Sequence, residues 1–451
     1  MDRENLGSRL GFILLSAGCA IGCGNVWKFP WLTGQYGGGA FVLIYLIFLI
    51  ILGWPVMTME FALGRASRKS PVHMYQVLET PGTKWHWHGL AALTGNVVLM
   101  MFYMVVTGWM LQYFFNSLTG HFTGMTPQQV GQSFGALLAN PSLQLLDTTI
   151  IVVSAFLILS FSLRGGLERV TKWMMMALIV IMVAIAINSL FMPGVKEGLK
   201  FYLFPDFSKL TWDVVVAAMN QAFFTLSLGI GAMAIFGSYI EKTHTLGGES
   251  LRVIILDTFV AIVAGLIIFP ACFTYDVKPD AGPSLIFVTL PNIFNHMPLG
   301  QFWGSLFFVF MTFACFSTVL AVCENILACV RDITGWSRKK TAWICGISMF
   351  LLSVPCALGF NVLSDIHPMG GNSCIMDLED FIVSNCLLPL GSLIFVLFCT
   401  MKNGWGWDNF IAEANTGHGL IFRKGLRAYC TYILPLIILA IFVVGILPFF
   451  K

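Results

Sequence analysis

The chain has 451 residues, 57% of them hydrophobic and 10% charged, with a formal net charge of +3 and a mean hydropathy of +0.82. So little polar surface excludes a water-soluble protein of this length, and the chain reads as an all-α polytopic membrane protein in a lipid bilayer. Nothing in that balance points to a nucleic-acid partner.

The opening stretch, MDRENLGSRL, enters the first apolar run without a small-residue cleavage motif, so no signal peptide is expected. About eleven spanning segments follow: 10–31, 38–63, 88–118, 148–163, 169–191, 213–237, 250–276, 300–330, 341–359, 376–400 and 428–450. The stretches 119–147, 192–212 and 401–427 read as connections. One inner set of connections and helix ends carries Arg9, Arg65, Arg68, Lys69, Arg338, Lys339, Lys340, Arg423, Lys424 and Arg427. The outer set holds only Lys196, Lys200, Lys209, Lys278 and Lys451. By the positive-inside bias the N-terminus is cytoplasmic and, with an odd number of spans, the C-terminus is outside.

The 12 cysteines form no CxxC pair and lie mostly in apolar segments, where they read as small packing residues. The histidines sit in connections or at segment ends, and there is no HExxH. One GxSxG match, Gly131 to Gly135, falls in an outer connection without the strand–turn–helix that a nucleophile elbow requires. The chain is not expected to be an enzyme. No Asn-x-Ser/Thr sequon occurs, which fits a bacterial inner membrane.

Segments one and six carry matching interruptions. The first reads SAGCAIGCGNVWKFP, with Gly22 and Gly24 ahead of Asn25; the sixth reads FFTLSLGIGA, with Gly229 and Gly231 behind Thr225 and Ser227. A glycine inside a helix costs about 1 kcal/mol relative to alanine, and two close together invite unwinding. Unwound backbone survives at membrane depth only when it is buried in protein or lines a cavity, where freed carbonyls can hold a cation and freed N–H groups an anion. Close-packing glycines are the alternative.

These segments, with YGGGAF, EFALGR, AGPSLIFVTLP and DLEDF, resemble the sodium-coupled neurotransmitter and amino-acid symporters in their bacterial branch. The resemblance covers nearly the whole chain. It implies a LeuT-like fold in one transporter domain over 1–451, with inverted repeats of five helices at about 8–191 and 213–400, broken helices one and six, and an extra helix at 428–450. It implies two sodium sites: Ala20, Asn25, Thr225 and Asp257 in the first; Gly18, Ile21, Ala314, Ser317 and Thr318 in the second. Positions 314, 317 and 318 share one helix face, which supports the second set independently.

The same resemblance places Ala20, Cys23, Gly24, Leu99, Tyr103, Phe224, Thr225, Ser227, Ile230, Thr318 and Val322 around the substrate. It makes Lys28 and Asp380 the outer gate, and Arg3, Ser238, Tyr239 and Asp332 the inner one. Where the family usually has Arg at the outer gate this chain has Lys28, so that gate is expected to be weak or water-mediated. Leu6 replaces the usual Trp, implying a looser inner plug. Glu60 reads as a support for the sixth segment, and Glu324 has no assigned role. Gly166 is present in the fifth segment, but Met176 stands where relatives have proline. Asp257 replaces a common Asn and Ala261 a Ser of chloride-dependent members, so chloride independence is expected. With no carboxylate at Gly22, the ligand must bring its own. The expected function is sodium-coupled import of a hydrophobic or aromatic α-amino acid by alternating access. A substrate-gated channel, or transport of another zwitterion or amine, is the alternative.

Overall fold

The structure is a computed structural model, described over residues 6–276 and 285–447. Arg3 and the Ala281–Ser284 part of AGPSLIFVTLP lie outside the described residues. Long helices dominate. Among the described residues nine are long and apolar enough to span a bilayer, and Arg9–Ala20 (α1) with Gly24–Gln35 (α2) forms a further span bent by 52°. The nine are Gly39–Ser67 (α3), Trp87–Leu118 (α4), Pro141–Ser160 (α5), Arg164–Leu190 (α6), Leu246–Thr274 (α9), Gly300–Thr334 (α10), Arg338–Leu358 (α11), Ile375–Thr400 (α12) and Lys424–Ile446 (α13). The sixth predicted segment is two pieces, Trp212–Thr225 (α7) and Ala232–Gly237 (α8), neither long enough to span alone. This is the expected LeuT-like class.

Local chemistry explains the ends. Ser8 caps α1 by accepting the Gly11 N–H, and Thr211 caps α7 through the Val214 N–H. Asn140 accepts the Leu143 N–H ahead of Pro141, so α5 begins seven residues before the predicted 148. The connections are more ordered than expected. Thr126 and Gln129 form a reciprocal capping box that starts a helix at Pro127–Ala139, and this corrects the placement of the GxSxG match, which lies on that helix and not in a loop. Shorter helices at Val195–Leu203 and Trp407–Ala414 occupy the other two long connections.

The inner stretch after α12 is pinned to α3. Fully buried Arg65 pairs with Glu413 at 2.6 Å, bonds the Glu413 carbonyl, and donates to the His244 carbonyl at 2.8 Å. Trp54 stacks on Phe422 with centroids 4.8 Å apart. All twelve cysteines are free thiols, ten of them buried, as the packing reading expects.

Candidate functional site: two interrupted helices around a sealed centre

Both breaks are real and lie side by side. After Ala20 the chain leaves the helix at Ile21 (φ −76°, ψ 99°) and resumes with a wide turn from Gly24. After Thr225, Ser227 (φ +51°), Gly229 (φ +93°) and Gly231 (φ +70°) all take left-handed backbone. Glycine is required at Gly229 twice over, because a Cβ there would also stand 2.2 Å from the Leu388 carbonyl oxygen. The unwound strand is held by its neighbours. Glu60 accepts the Gly229 N–H at 2.6 Å, Asn96 donates to the Ile230 carbonyl at 2.7 Å, and Gln221 donates to the Gly24 carbonyl at 2.7 Å.

Freed carbonyls of the first break gather around two hydroxyls of α10. Ser317 Oγ lies 3.0 Å from Gly18 O, 3.3 Å from Ile21 O and 2.8 Å from Ala314 O. Thr318 Oγ1 lies 3.2 Å from Gly18 O, 3.3 Å from Cys19 O and 3.3 Å from Ile21 O. Ala314 O is an ordinary carbonyl inside α10 and Cys19 O also accepts the Ser227 hydroxyl, whereas Gly18 O and Ile21 O, freed by the break, are each approached by both α10 hydroxyls. Carbonyl and hydroxyl oxygens converging in a buried space are the ligand type a hard cation takes.

A second polar knot lies where α2, α7 and α9 meet. Asp257 is completely buried. Its carboxylate accepts Asn25 Nδ2 at 2.8 Å and Thr225 Oγ1 at 3.2 Å, so its hydrogen-bond partners here are neutral. Asn25 Oδ1 in turn accepts the Gly22 N–H at 3.2 Å. An unbalanced buried carboxylate is costly, and a monovalent cation beside it would offset that cost.

Between the two knots lies a cavity of about 10 Å³ lined by Ala20, Gly24, Leu99, Tyr103, Phe224, Ser227 and Thr318, with Cys19 and Leu388. That is room for about one water molecule, so the centre is sealed and contracted. The Cys23 N–H donates to the Tyr103 hydroxyl at 2.7 Å, and the Ser227 hydroxyl to the Cys19 carbonyl at 3.2 Å. A Cβ on Gly22 would stand 2.1 Å from Tyr103 Oη and 2.4 Å from Thr318 Oγ1. Thr225, Ile230 and Val322 are buried but do not line this cavity, and Cys23 lines the space outside it.

That outer space is a vestibule of about 230 Å³ with Trp27, Trp31, Tyr103 and Phe224 in its walls. Tyr103 and Phe224 line both spaces and form the partition between them. Across the vestibule Lys28 Nζ reaches both Asp380 oxygens and Ser384 Oγ at 3.2 Å, and stands 4.1 Å from the Phe224 ring centroid. The contact is direct rather than water-mediated, and Ser384 and the ring add partners where the lysine lacks a planar fork.

On the inner side the Ser238 carbonyl accepts Arg68 Nη1 at 3.0 Å, and Asp332 accepts the Ser70 N–H at 2.9 Å. Tyr239 donates to Glu324 at 2.8 Å, and Arg338 grips the same carboxylate with two bonds of 3.0 and 2.5 Å. Glu324 therefore has a definite place, which sequence reading left blank. Leu6 is buried, and its N–H bonds the Tyr239 carbonyl at 3.4 Å. Asn96, Gln221, Glu324 and Arg338 were missed as parts of this site. A polar residue inside an apolar helix was the available signal for the first three.

The chain matches the sodium:neurotransmitter symporter family over residues 3–133 and 136–451. It is 34% identical over 446 residues to the sodium-dependent transporter YhdH of Bacillus subtilis, covering 98% of each chain. It is 32% identical over 455 residues to a sodium-dependent transporter of Haemophilus influenzae, again covering 98% of each. Among solved structures, MhsT in complex with L-phenylalanine superposes with a TM-score of 0.90 at 38% identity, covering 98% of this chain and 100% of that one.

Proposed function

The chain belongs to the sodium:neurotransmitter symporter family, and from that premise we propose that it imports an apolar or aromatic α-amino acid together with sodium, without chloride. A sodium-coupled multi-pass transporter is what the family and its relatives establish; the substrate class, the ion sites and the chloride independence are our reading. The observation that carries it is the oxygen cluster at Gly18, Cys19, Ile21, Ala314, Ser317 and Thr318, where carbonyls freed by the first break converge on two hydroxyls of α10 beside the sealed cavity.

In this reading one sodium binds that cluster and a second binds beside Asn25, Thr225 and Asp257, with the Ala20 carbonyl completing its shell. The Asp257 carboxylate supplies the fixed negative charge that a chloride ion would otherwise bring. The amino acid occupies the space between. Its carboxylate meets the N–H groups of the first break and the Tyr103 hydroxyl that the Cys23 N–H now bonds, and its ammonium meets the carbonyls of both breaks. The apolar lining of Leu99, Phe224 and Leu388 favours a hydrophobic side chain, and the cavity must swell to admit it. The relative solved with L-phenylalanine supports this choice.

Lys28 and Asp380 close the outer side; Ser238, Tyr239 and Asp332, with Arg3, close the inner one. Each half of the cycle opens one set while the other holds, and the inward sodium gradient sets the direction. The positive-inside bias supports a cytoplasmic N-terminus in a bacterial inner membrane. The test is uptake of a panel of labelled amino acids into proteoliposomes under an imposed sodium gradient, with gluconate replacing chloride in half the samples. Sodium-dependent accumulation of phenylalanine-like substrates in gluconate is expected. Accumulation without sodium, or only with chloride, would overturn the proposal.

A further inference from the structure

A further space lies away from both breaks, and the transport reading leaves it unused. It is a cavity of about 540 Å³ at the outer end of the bundle, larger than the vestibule. Its walls are the end of α4, the turn after it, the short helix Leu290–His296 and the first turns of α10. Phe122 and Phe294 are buried beneath it, their rings 5.2 Å from Tyr113 and 5.5 Å from Phe307 between centroids. A Cβ on Gly300 would stand 1.6 Å from the Phe294 carbonyl oxygen, so α10 is pressed onto this wall. Leu299, just before α10, takes left-handed backbone at φ +56°, which is costly for a leucine. Tight walls around an open space of this size make a shaped pocket rather than loose packing.

The polar groups of the walls are spent, with one buried exception. Asn295 accepts the Gly124 N–H at 3.0 Å and donates to the Met125 carbonyl at 2.8 Å. Gln301 donates to the Leu118 carbonyl at 2.8 Å, and Ser305 to the Gln301 carbonyl at 2.6 Å. Ser117 lines the cavity, is only 7% exposed, and its hydroxyl has no partner among the described residues. A buried hydroxyl left without an acceptor is costly. No charged residue lines the cavity among the described residues, so a zwitterion would strand both its charges there. Leu118 and Phe302 line it and are also more than half exposed, and Phe115 extends the same face of α4 by one turn. The cavity therefore continues the apolar surface that spanning helices turn to lipid, at the depth where α4 ends and α10 begins.

We propose that this cavity is a phospholipid site. One acyl chain of an outer-leaflet phospholipid lies against Phe122, Phe294 and Phe302, and an ester carbonyl of the same lipid accepts the Ser117 hydroxyl. An acyl chain gains nothing hydrophobic by leaving its neighbours in the bilayer, so shape and this hydrogen bond select the lipid. The lipid braces the outer end of α4 against α10, the helices that carry Tyr103 and Thr318. The proposal needs a multi-pass membrane protein and is independent of the sodium and substrate readings.

Photo-crosslinking tests it. Purified full-length protein is placed in phosphatidylcholine vesicles with increasing amounts of a phosphatidylcholine bearing a diazirine on one acyl chain, and labelled peptides are mapped by mass spectrometry. Labelling of 115–123 and 297–305 is expected to saturate. It should exceed several-fold that of 203–212, where exposed Phe204, Phe207 and Trp212 meet only bulk lipid. Ser305→Trp, which fills the cavity with its own ring, should abolish the labelling of 115–123 and spare 203–212. Ser117→Val keeps the volume and loses the hydroxyl; it should lower occupancy about fivefold, the scale of one hydrogen bond. Labelling that rises without saturation to the level of 203–212 overturns the site, because the lipid is then ordinary boundary lipid. Unchanged occupancy in Ser117→Val overturns the ester contact. Labelling by a diazirine fatty acid that the phospholipid does not compete away overturns the choice of ligand. Should Ser305→Trp fail to fold, saturation in the unsubstituted protein and the Ser117→Val comparison still decide.

Discussion

Single atoms carry much of the chemistry at Gly22 and Asp257. A methyl group on Gly22 has no room between Tyr103 Oη and Thr318 Oγ1, at 2.1 and 2.4 Å, and both atoms belong to the proposed substrate surroundings. Overpacking of this kind costs about 1–3 kcal/mol, so Gly22→Ala is expected to weaken substrate binding about thirtyfold. Equilibrium binding of labelled substrate measures it, and near-normal affinity would mean that the substrate lies elsewhere. Asp257 is a buried carboxyl group whose partners here, Asn25 and Thr225, are neutral, and the proposed sodium would balance its charge. Asp257→Asn should raise the sodium concentration for half-maximal uptake at least about tenfold, the scale of one lost interaction with a charged group. A sodium titration of uptake checks this; an unshifted midpoint would remove Asp257 from the ion site.

Whole elements are positioned by a few polar anchors on apolar helices. The unwound stretch between α7 and α8 is kept by Glu60 and Asn96, which satisfy peptide groups that a continuous helix would have satisfied itself, while Gln221 ties α7 to the Gly24 carbonyl of the first break. The helix Trp407–Ala414 is fastened to α3 by Arg65 and Glu413. Arg65 is fully buried, so Glu413→Ala strands its charge, at a cost of about 3 kcal/mol or more. The expected result is a clearly lower Tm in detergent than that of Lys242→Ala. Lys242 reaches the same carboxylate at 3.1 Å, but its side chain is 55% exposed. Equal effects would show that the pair does not fasten the helix.

For the molecule as a whole, the sealed state ties stability to occupancy. The outer ion pair and the inner Tyr239–Glu324–Arg338 network are both made, and the cavity between them is about 10 Å³. Ligands that bind the folded state stabilise it by mass action, by about 2.7 kcal/mol at a hundred times Kd. In the proposed reading sodium and substrate share the two breaks, so each should tighten the other. The thermal shift with both present is expected to exceed the sum of the separate shifts, and a merely additive shift argues against shared sites. Counterflow exchange of labelled substrate separates alternating access from a channel, which would show none.

The sequence by itself determined the membrane class, the approximate spans and the two interruptions. Apolar run length, charge asymmetry and glycine pairs are local quantities, read without knowing which helix lies beside which. It also marked Ala314, Ser317 and Thr318 as one helix face. Tertiary structure alone decided that this face meets the carbonyls of Gly18, Cys19 and Ile21, because contacts across about 300 residues of chain depend on packing rather than on any local pattern. The same holds for Glu324 between Tyr239 and Arg338, and for the direct Lys28–Asp380 pair completed by Ser384 and Phe224. A lone carboxylate in an apolar helix announces that it needs a partner; only the packed bundle says which one it has.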